Sequence, residues 1–129
     1  MPAASVLNVL IVDDQLTIRS LVRNGLKDLG VVNTREAVDG EDALTQLVAR
    51  PSHLVITDYN MPKLDGLGLL RAIRAYEPIK TTAVIMLTGR ADPELVQRAA
   101  QYGVNNYLVK PFTVATLRAK IEEVFGALT

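Results

Sequence analysis

The chain has 129 residues, a formal net charge of +0, a single histidine and no cysteine. This length fits one domain, and the composition excludes disulfides and thiolate metal sites and disfavours histidine-based zinc or triad chemistry. The balanced charge disfavours a nucleic-acid partner, and we find neither a signal peptide nor an apolar run near the ~18 residues of a membrane span, so we expect a cytoplasmic protein with no membrane partner.

Short apolar runs alternate with segments of helical periodicity along the whole chain. This alternation is typical of βα units built around a parallel sheet. We predict strands over residues 7–12, 34–37, 54–57, 83–87 and 106–109. No linker or repeat interrupts the pattern, which therefore predicts one α/β domain of (βα)5 type over residues 1–129.

Each predicted helix carries one apolar stripe that should face the sheet. Gly30 is expected to end the first helix, Asp92 to cap the fourth and Thr113 to cap the last. The predicted inward residues are, helix by helix, Ile18, Val22, Leu26 and Leu29; Ala43, Leu44, Leu47 and Val48; Leu69, Leu70 and Ile73; Leu95, Val96, Ala99 and Ala100; Val114, Leu117, Ile121 and Val124.

Polar side chains follow four of the five strands where each strand ends. Asp13 and Asp14 follow the first strand and Asp58 the third, and Thr88 and Lys110 follow the fourth and fifth. The carboxyl ends of parallel strands meet at one edge, so these groups should converge. Two carboxylates ~4 Å apart repel by roughly 4 kcal/mol at an effective dielectric near 20, which a cation would relieve.

An all-oxygen site of this kind suits Mg²⁺. Asp58 could then attack phosphorus as a carboxylate nucleophile, with Lys110 and the Thr88 hydroxyl holding the equatorial oxygens of an in-line transfer. For Asp13 or Asp14 taken singly, capping of the first helix is an equal alternative. His53 precedes the third strand, at the opposite edge, and is expected to be a surface residue.

Four segments resemble one known family, the receiver domains of two-component response regulators, and within it the stand-alone chemotaxis regulators. The segments are IVDD at residues 11–14, DYNMPKLDG at 58–66, LTG at 87–89 and YLVKPF at 107–112. The resemblance covers essentially the whole chain. It implies a flavodoxin-like, doubly wound parallel sheet with strand order 2-1-3-4-5.

The resemblance also implies a metal site. Asp58 would be the phosphoacceptor, and Asp14 would bind Mg²⁺ directly. Asp13 would act mainly through water, and the backbone carbonyl of Asn60 would be a further ligand.

The same resemblance implies how the phosphoryl group is held and sensed. Thr88 and Lys110 would contact it, and Lys110 would precede a cis peptide that aims its side chain into the site. Tyr107 would be the aromatic residue whose rotamer reports the switch, although it could also be ordinary strand filling. Arg90 stands at a position that the family varies and links to the lifetime of the phosphate, so the kinetics do not carry over.

The expected partners follow from the family. A histidine kinase would donate the phosphoryl group, and a phosphatase could remove it. The phosphorylated form would bind an output protein such as a flagellar motor switch component through the fourth helix, fifth strand and fifth helix. That face would include Leu95, Gln101, Tyr107 and Lys120. Because no output domain is expected in the chain, it would be a signalling phosphoacceptor that catalyses only its own phosphorylation and dephosphorylation.

Three alternatives stay open at this point. The molecule could be a phosphate sink in a phosphorelay, or a degenerate receiver that binds its partner constitutively, although no acidic or lysine position is missing. A phosphatase of the haloacid-dehalogenase type is less favoured. It needs a second aspartate two residues after the nucleophile, where this chain has Asn60.

Overall fold

A computed structural model describes residues 3–89 and 93–129 of the chain. Strands and helices alternate through these residues, as the sequence pattern predicts. The strands are β1 Asn8–Val12, β2 Asn33–Ala37, β3 Leu54–Asp58, β4 Ala83–Thr88 and β5 Asn106–Val109. The helices are α1 Leu16–Asp28, α2 Gly40–Ala49, α3 Gly66–Ala75, α4 Pro93–Gln101 and α5 Val114–Phe125. Short 3-10 turns lie at Ala4–Val6 and Glu77–Ile79.

All four strand pairings are parallel, and the sheet order is β2-β1-β3-β4-β5. The predicted fold class and strand order are therefore confirmed. The register matters for function. Val12 pairs with Thr57, and Thr88 pairs with Val109. Asp58, the last residue of β3, and residues 13 and 110, which directly follow β1 and β5, consequently lie at one edge of the sheet.

The strands β1, β3 and β4 are buried on both faces, which explains why they are continuous apolar runs. The edge strands β2 and β5 are partly exposed. Ile11 and Ile56 point toward α1 and α5, where they pack with Leu26, Leu117 and their neighbours. The alternate positions pack on the other side among residues of α2 and α3. Two apolar layers thus hold the sheet rigidly, and its carboxyl edge inherits that rigidity.

Some predicted helix faces are wrong. Val48 is 49% exposed and Val114 is 37% exposed, and Ala100 also faces solvent. The stripes of α2, α4 and α5 that cover the sheet are narrower than the sequence suggested, because a neighbour of an i, i+4 pair lies about 100° around the helix. The predicted inward residues of α3 are all buried. Leu95, assigned above to the partner-binding face, is buried with 8% exposure. The predicted cap Asp92 lies outside the described residues.

Helix ends explain how the chain leaves the sheet. Gly30, at φ 86°, ends α1 in the left-handed conformation that glycine adopts readily. The Thr113 hydroxyl accepts a hydrogen bond from the Thr116 amide at 3.1 Å, so the predicted cap of α5 is confirmed. The cap of α1 is Gln15, so neither Asp13 nor Asp14 caps that helix. Among the described residues, none of the helices has both the length and the apolar character that crossing a bilayer requires.

Candidate phosphoacceptor and metal site

Three carboxylates meet at the carboxyl edge of the sheet. One oxygen of each of Asp13, Asp14 and Asp58 lies within 4.8 Å of the others. Asp13 and Asp58 are only 1% and 8% exposed, whereas Asp14 faces solvent. The site is therefore a shallow acidic pocket with one open side, which a small ion or a phosphoryl donor can reach.

Asp13 is held by nearly all of its polar groups. Its amide donates to the Ala37 carbonyl at 3.1 Å, and its carbonyl accepts from the Arg19 guanidinium at 2.7 Å. Its Oδ1 accepts from the Gln15 amide at 2.8 Å. The other carboxylate oxygen, Oδ2, is buried and has no hydrogen-bond partner in the part of the chain that the structure describes.

Burial raises the pKa of Asp13 from 3.8 to about 6. The hydrogen bond from the Gln15 amide is the largest opposing effect and lowers this pKa. The negative charge of Asp58 raises it, the positive charge of Lys110 lowers it, and the charge of Asp14 raises it slightly. The direction has a clear physical cause, because burial and two neighbouring carboxylates destabilise the ionised form of Asp13 relative to its protonated form. A bound cation would reverse that preference.

Lys110 supplies the positive charge of the pocket. Its Nζ lies 3.1 Å from Asp58 Oδ1, and its amide donates to the Thr88 carbonyl at 2.7 Å. The Lys110–Pro111 peptide is cis, as the resemblance implied. The ammonium group therefore reaches the nucleophile candidate across β4, which lies between β3 and β5.

The loop after β3 fixes the position of Asp58. The Gly66 amide donates to the Tyr59 carbonyl at 2.8 Å, which folds the loop back on the strand end. A Cβ at position 66 would collide with the Asp58 carbonyl oxygen and would lie 2.8 Å from Met86 Sδ. Only glycine fits this close approach of two backbone segments.

The remaining predicted residues differ in their burial. Thr88 is 6% exposed at the end of β4, and Asn60 is exposed in the loop after β3. Tyr107 is half-buried on β5, with Lys120 Nζ 5.0 Å from its ring centroid. Arg90 lies outside the described residues.

His53 is exposed, and its Nδ1 accepts a hydrogen bond from the Asn8 amide at 2.9 Å, which confirms that it is a surface residue.

Two neighbouring residues were not singled out from the sequence. Arg19 donates to the Asp13 carbonyl and pairs with Glu36 at 2.9 Å. Arg19 occupies an ordinary polar position of α1, and Glu36 lies in the weakest strand. No local pattern distinguishes such residues from solvated charges, because their contact depends on how α1 packs beside β2.

The pocket fits a hard divalent cation. Oxygen donors from three carboxylates suit Mg²⁺, and an unpartnered buried oxygen such as Asp13 Oδ2 is destabilising without a cation or a proton. Such a cation would neutralise negative charge on the carboxylates and on an oxygen of an incoming phosphoryl group.

Comparison with known proteins gives a consistent result. The family described as "Response regulator receiver domain" matches residues 9–122. The chain is 50% identical over 128 residues to a probable chemotaxis protein CheY of Rhizobium etli, covering 99% of each chain. It is 48% identical over 122 residues to chemotaxis protein CheY-3 of Vibrio cholerae, covering 95% of this chain and 94% of that protein.

Solved structures agree. The chemotaxis protein CheY4 of Vibrio cholerae superposes with a TM-score of 0.85 at 35% identity, covering 92% of this chain and 98% of that one. The receiver domain of NtrX from Brucella abortus superposes with a TM-score of 0.82 at 34% identity, covering 91% and 97%.

Proposed function

Because this chain belongs to the response regulator receiver family, we propose that Asp58 accepts a phosphoryl group from a histidine kinase and that the modification switches binding to a partner protein. The observation that carries the proposal is the pocket itself. Three carboxylates lie within 4.8 Å, and Lys110 Nζ lies 3.1 Å from Asp58 Oδ1. We further propose that residues 1–129 form a single receiver domain.

Asp58 suits the role of nucleophile. Its side chain ends β3 at the edge of a rigid sheet, and the backbone contact with Gly66 prevents the strand end from shifting. A fixed carboxylate with one open side can meet a phosphorus atom in line at little entropic cost. We therefore assign Asp58 as the phosphoacceptor, the residue whose oxygen forms the new bond.

Asp13 and Asp14, with Asp58 and the Asn60 carbonyl, are the residues proposed to hold Mg²⁺. Bound there, the ion would offset the charge of the carboxylates and of the transferring group. Asp13 Oδ2 is buried and has no hydrogen-bond partner among the described residues, so it is available to bind the ion. Asp14, being exposed, can turn toward an incoming ion at low cost.

Lys110 and Thr88 complete the proposed mechanism. The ammonium of Lys110 already lies beside the nucleophile and can pair with an equatorial phosphoryl oxygen. The Thr88 hydroxyl lies at the adjacent strand end and can donate to another. In this proposal both residues act by binding phosphoryl oxygens, and the bond changes are confined to the Asp58 carboxylate. The chain would therefore catalyse only its own phosphorylation and the later hydrolysis.

The signal would pass through the partner-facing side of the molecule. Phosphorylation takes Asp58 from one negative charge to nearly two and adds acceptor oxygens. The Thr88 hydroxyl would turn toward them, and Tyr107 on the next strand would move inward behind it. The face of α4, β5 and α5, where Gln101 is exposed and Tyr107 and Lys120 are half-buried, would then bind its partner more tightly in the phosphorylated state.

We propose chemotaxis as the setting, because curated relatives at about half identity over nearly the whole chain are named as chemotaxis proteins. The partner would be an output protein such as a flagellar motor switch component, and a phosphatase could terminate the signal. The phosphate-sink role and the cytoplasmic location stay predictions. Membership of the receiver family argues against the haloacid-dehalogenase alternative.

The proposal is tested by incubating the protein with a small acyl phosphate donor and measuring the intact mass. Asp39→Asn is a matched control, because Asp39 is also a buried carboxylate at this edge and asparagine preserves its cap of α2. We expect a phosphoryl adduct with Mg²⁺ in the wild type and in the control, and none in Asp58→Asn or with EDTA. Equal labelling of Asp58→Asn would rule the assignment out.

A further inference from the structure

The guanidinium of Arg19 lies where it can control the geometry of the acidic pocket. It donates to the Asp13 backbone carbonyl at 2.7 Å and to Glu36 Oε1 at 2.9 Å. Its side chain is only 12% exposed, although it belongs to a surface helix. The two bonds tie the loop between β1 and α1 to strand β2.

Glu36 is itself held from other directions. Its second oxygen accepts from Arg23 at 2.6 Å, and its backbone carbonyl accepts from the Gln46 side chain at 2.9 Å. Arg19 is therefore oriented by a carboxylate that has little freedom of its own. A planar guanidinium held on one side can fix what it binds on the other.

These contacts determine which oxygen of Asp13 is left without a hydrogen bond. The Asp13 amide, carbonyl and Oδ1 are bound to Ala37, Arg19 and Gln15 respectively. Oδ2 is left over, buried and without a hydrogen-bond partner among the described residues. Three hydrogen bonds thus hold Asp13, and together they determine where Oδ2 lies.

We propose that Arg19 is a positioning residue for the cation site, acting through the Asp13 carbonyl. The inference rests on the proposed function, because it assumes that the acidic pocket binds Mg²⁺. Outer partners that orient ligands affect metal affinity substantially, by about 10-fold to 100-fold on substitution. Arg19 does so from the backbone side of the ligand.

Charge makes the direction of the effect diagnostic. Arg19 is cationic, so replacing it by a neutral residue removes a repulsion on Mg²⁺ and, through charge alone, would tighten binding. Loss of positioning predicts the opposite, because Asp13 would sample conformations in which its carboxylate no longer lies beside those of Asp14 and Asp58. Weaker binding in a neutral variant can therefore not come from the altered charge.

Arg23 provides the matched control. It pairs with the same glutamate through Glu36 Oε2, lies on the same helix and is 44% exposed. Its guanidinium donates to Glu36 and, within the part of the chain that the structure describes, makes no hydrogen bond to Asp13. Methionine at either position keeps an apolar stem and removes the donors, so both variants remove one cation and one Glu36 contact, but only Arg19→Met loses the bond to Asp13.

The experiment measures the Mg²⁺ dissociation constant of the folded protein by calorimetry and the free energy of unfolding in EDTA, for the wild type, Arg19→Met and Arg23→Met. We expect the dissociation constant to rise about tenfold in Arg19→Met. It should stay within about twofold of wild type in Arg23→Met, because Glu36 is still held by Arg19 and by the Gln46 side chain. A merely structural role would lower stability without changing the dissociation constant.

Two results are decisive in different ways. An Arg19→Met dissociation constant equal to or below that of the wild type would overturn the positioning role while leaving the cation site intact. Failure of the wild type to bind Mg²⁺ would instead contradict the proposed function on which the inference rests.

Discussion

Replacing Asp13 by asparagine should stabilise the metal-free protein at neutral pH. Asparagine keeps the oxygen that accepts from the Gln15 amide, and it places a neutral amide where the unpartnered Oδ2 now lies. The substitution is nearly isosteric and creates no cavity. It removes only the buried negative charge beside Asp14 and Asp58.

The magnitude follows from the raised pKa of Asp13. Burial raises that pKa from 3.8 to about 6. A shift of this size corresponds to about 3 kcal/mol of native-state free energy, lost when the carboxyl must ionise. Because the asparagine amide still has to be accommodated, we expect a net gain in the free energy of unfolding of about 1–3 kcal/mol at neutral pH.

The gain should depend on pH with a defined sign. The native state binds the Asp13 proton more tightly than the unfolded chain does, so this group stabilises the fold fully below pH 3.8, and that stability is lost as the pH rises through about 6. Asparagine does not titrate. The difference between variant and wild type should therefore be small near about pH 4 and reach its full value above about pH 7.

The assay is urea denaturation in EDTA at both pH values, repeated with saturating Mg²⁺. Wild type should gain about 2.7 kcal/mol at a metal concentration ~100 times the dissociation constant, and Asp13→Asn should gain less. Asp39→Asn, which keeps its cap and leaves the three carboxylates of the site in place, should not be stabilised to this extent in EDTA at neutral pH. If Asp13→Asn is less stable than wild type in EDTA at neutral pH, the buried charge of Asp13 does not destabilise the metal-free protein.

Two further predictions follow from the site. Gly66→Ala should destabilise the fold by about 3 kcal/mol or more, because the added Cβ collides with the Asp58 carbonyl oxygen. Gly89→Ala, whose added Cβ has no atom of the described residues within 4 Å, should change the free energy of unfolding by less than about 1 kcal/mol, and similar urea midpoints for the two variants would contradict this. Thr88→Ala should leave phosphorylation of Asp58 largely intact but reduce the gain in partner affinity, and Tyr107→Ala should alter partner binding more than phosphorylation. Labelling and affinity titrations on each variant measure both effects, and an undiminished phosphorylation-dependent affinity in Thr88→Ala would place the switch elsewhere.

The fold and the cluster of carboxylates were predictable because each rests on a strong constraint. Continuous apolar runs indicate strands buried on both faces, and parallel strands bring their carboxyl ends to one edge. Asp58 and Lys110 could therefore be placed together although they are 52 positions apart in the sequence. The prediction needed only the ends of the strands.

Other features depend on tertiary contacts that local patterns do not encode. Periodicity predicted that both Leu47 and Val48 face the core. Leu47 is buried but Val48 is exposed, because the neighbouring elements determine how wide a face of the helix is covered. Asp58 belongs to β3 and does not follow it, because it pairs with Leu87 on β4. The Arg19 contact with Asp13 likewise depends on the packing of α1 beside β2.

The assignment of Asp58 as the phosphoacceptor is tested by identifying the modified residue. The protein is phosphorylated in Mg²⁺ by a phosphohistidine donor, the acyl phosphate is reduced with borohydride, and the digested peptides are sequenced by mass spectrometry. Reduction converts a phosphorylated aspartate to homoserine, so the account predicts homoserine at position 58 and unmodified Asp13 and Asp14. Homoserine at another position, or an unmodified Asp58 in a labelled protein, would contradict it.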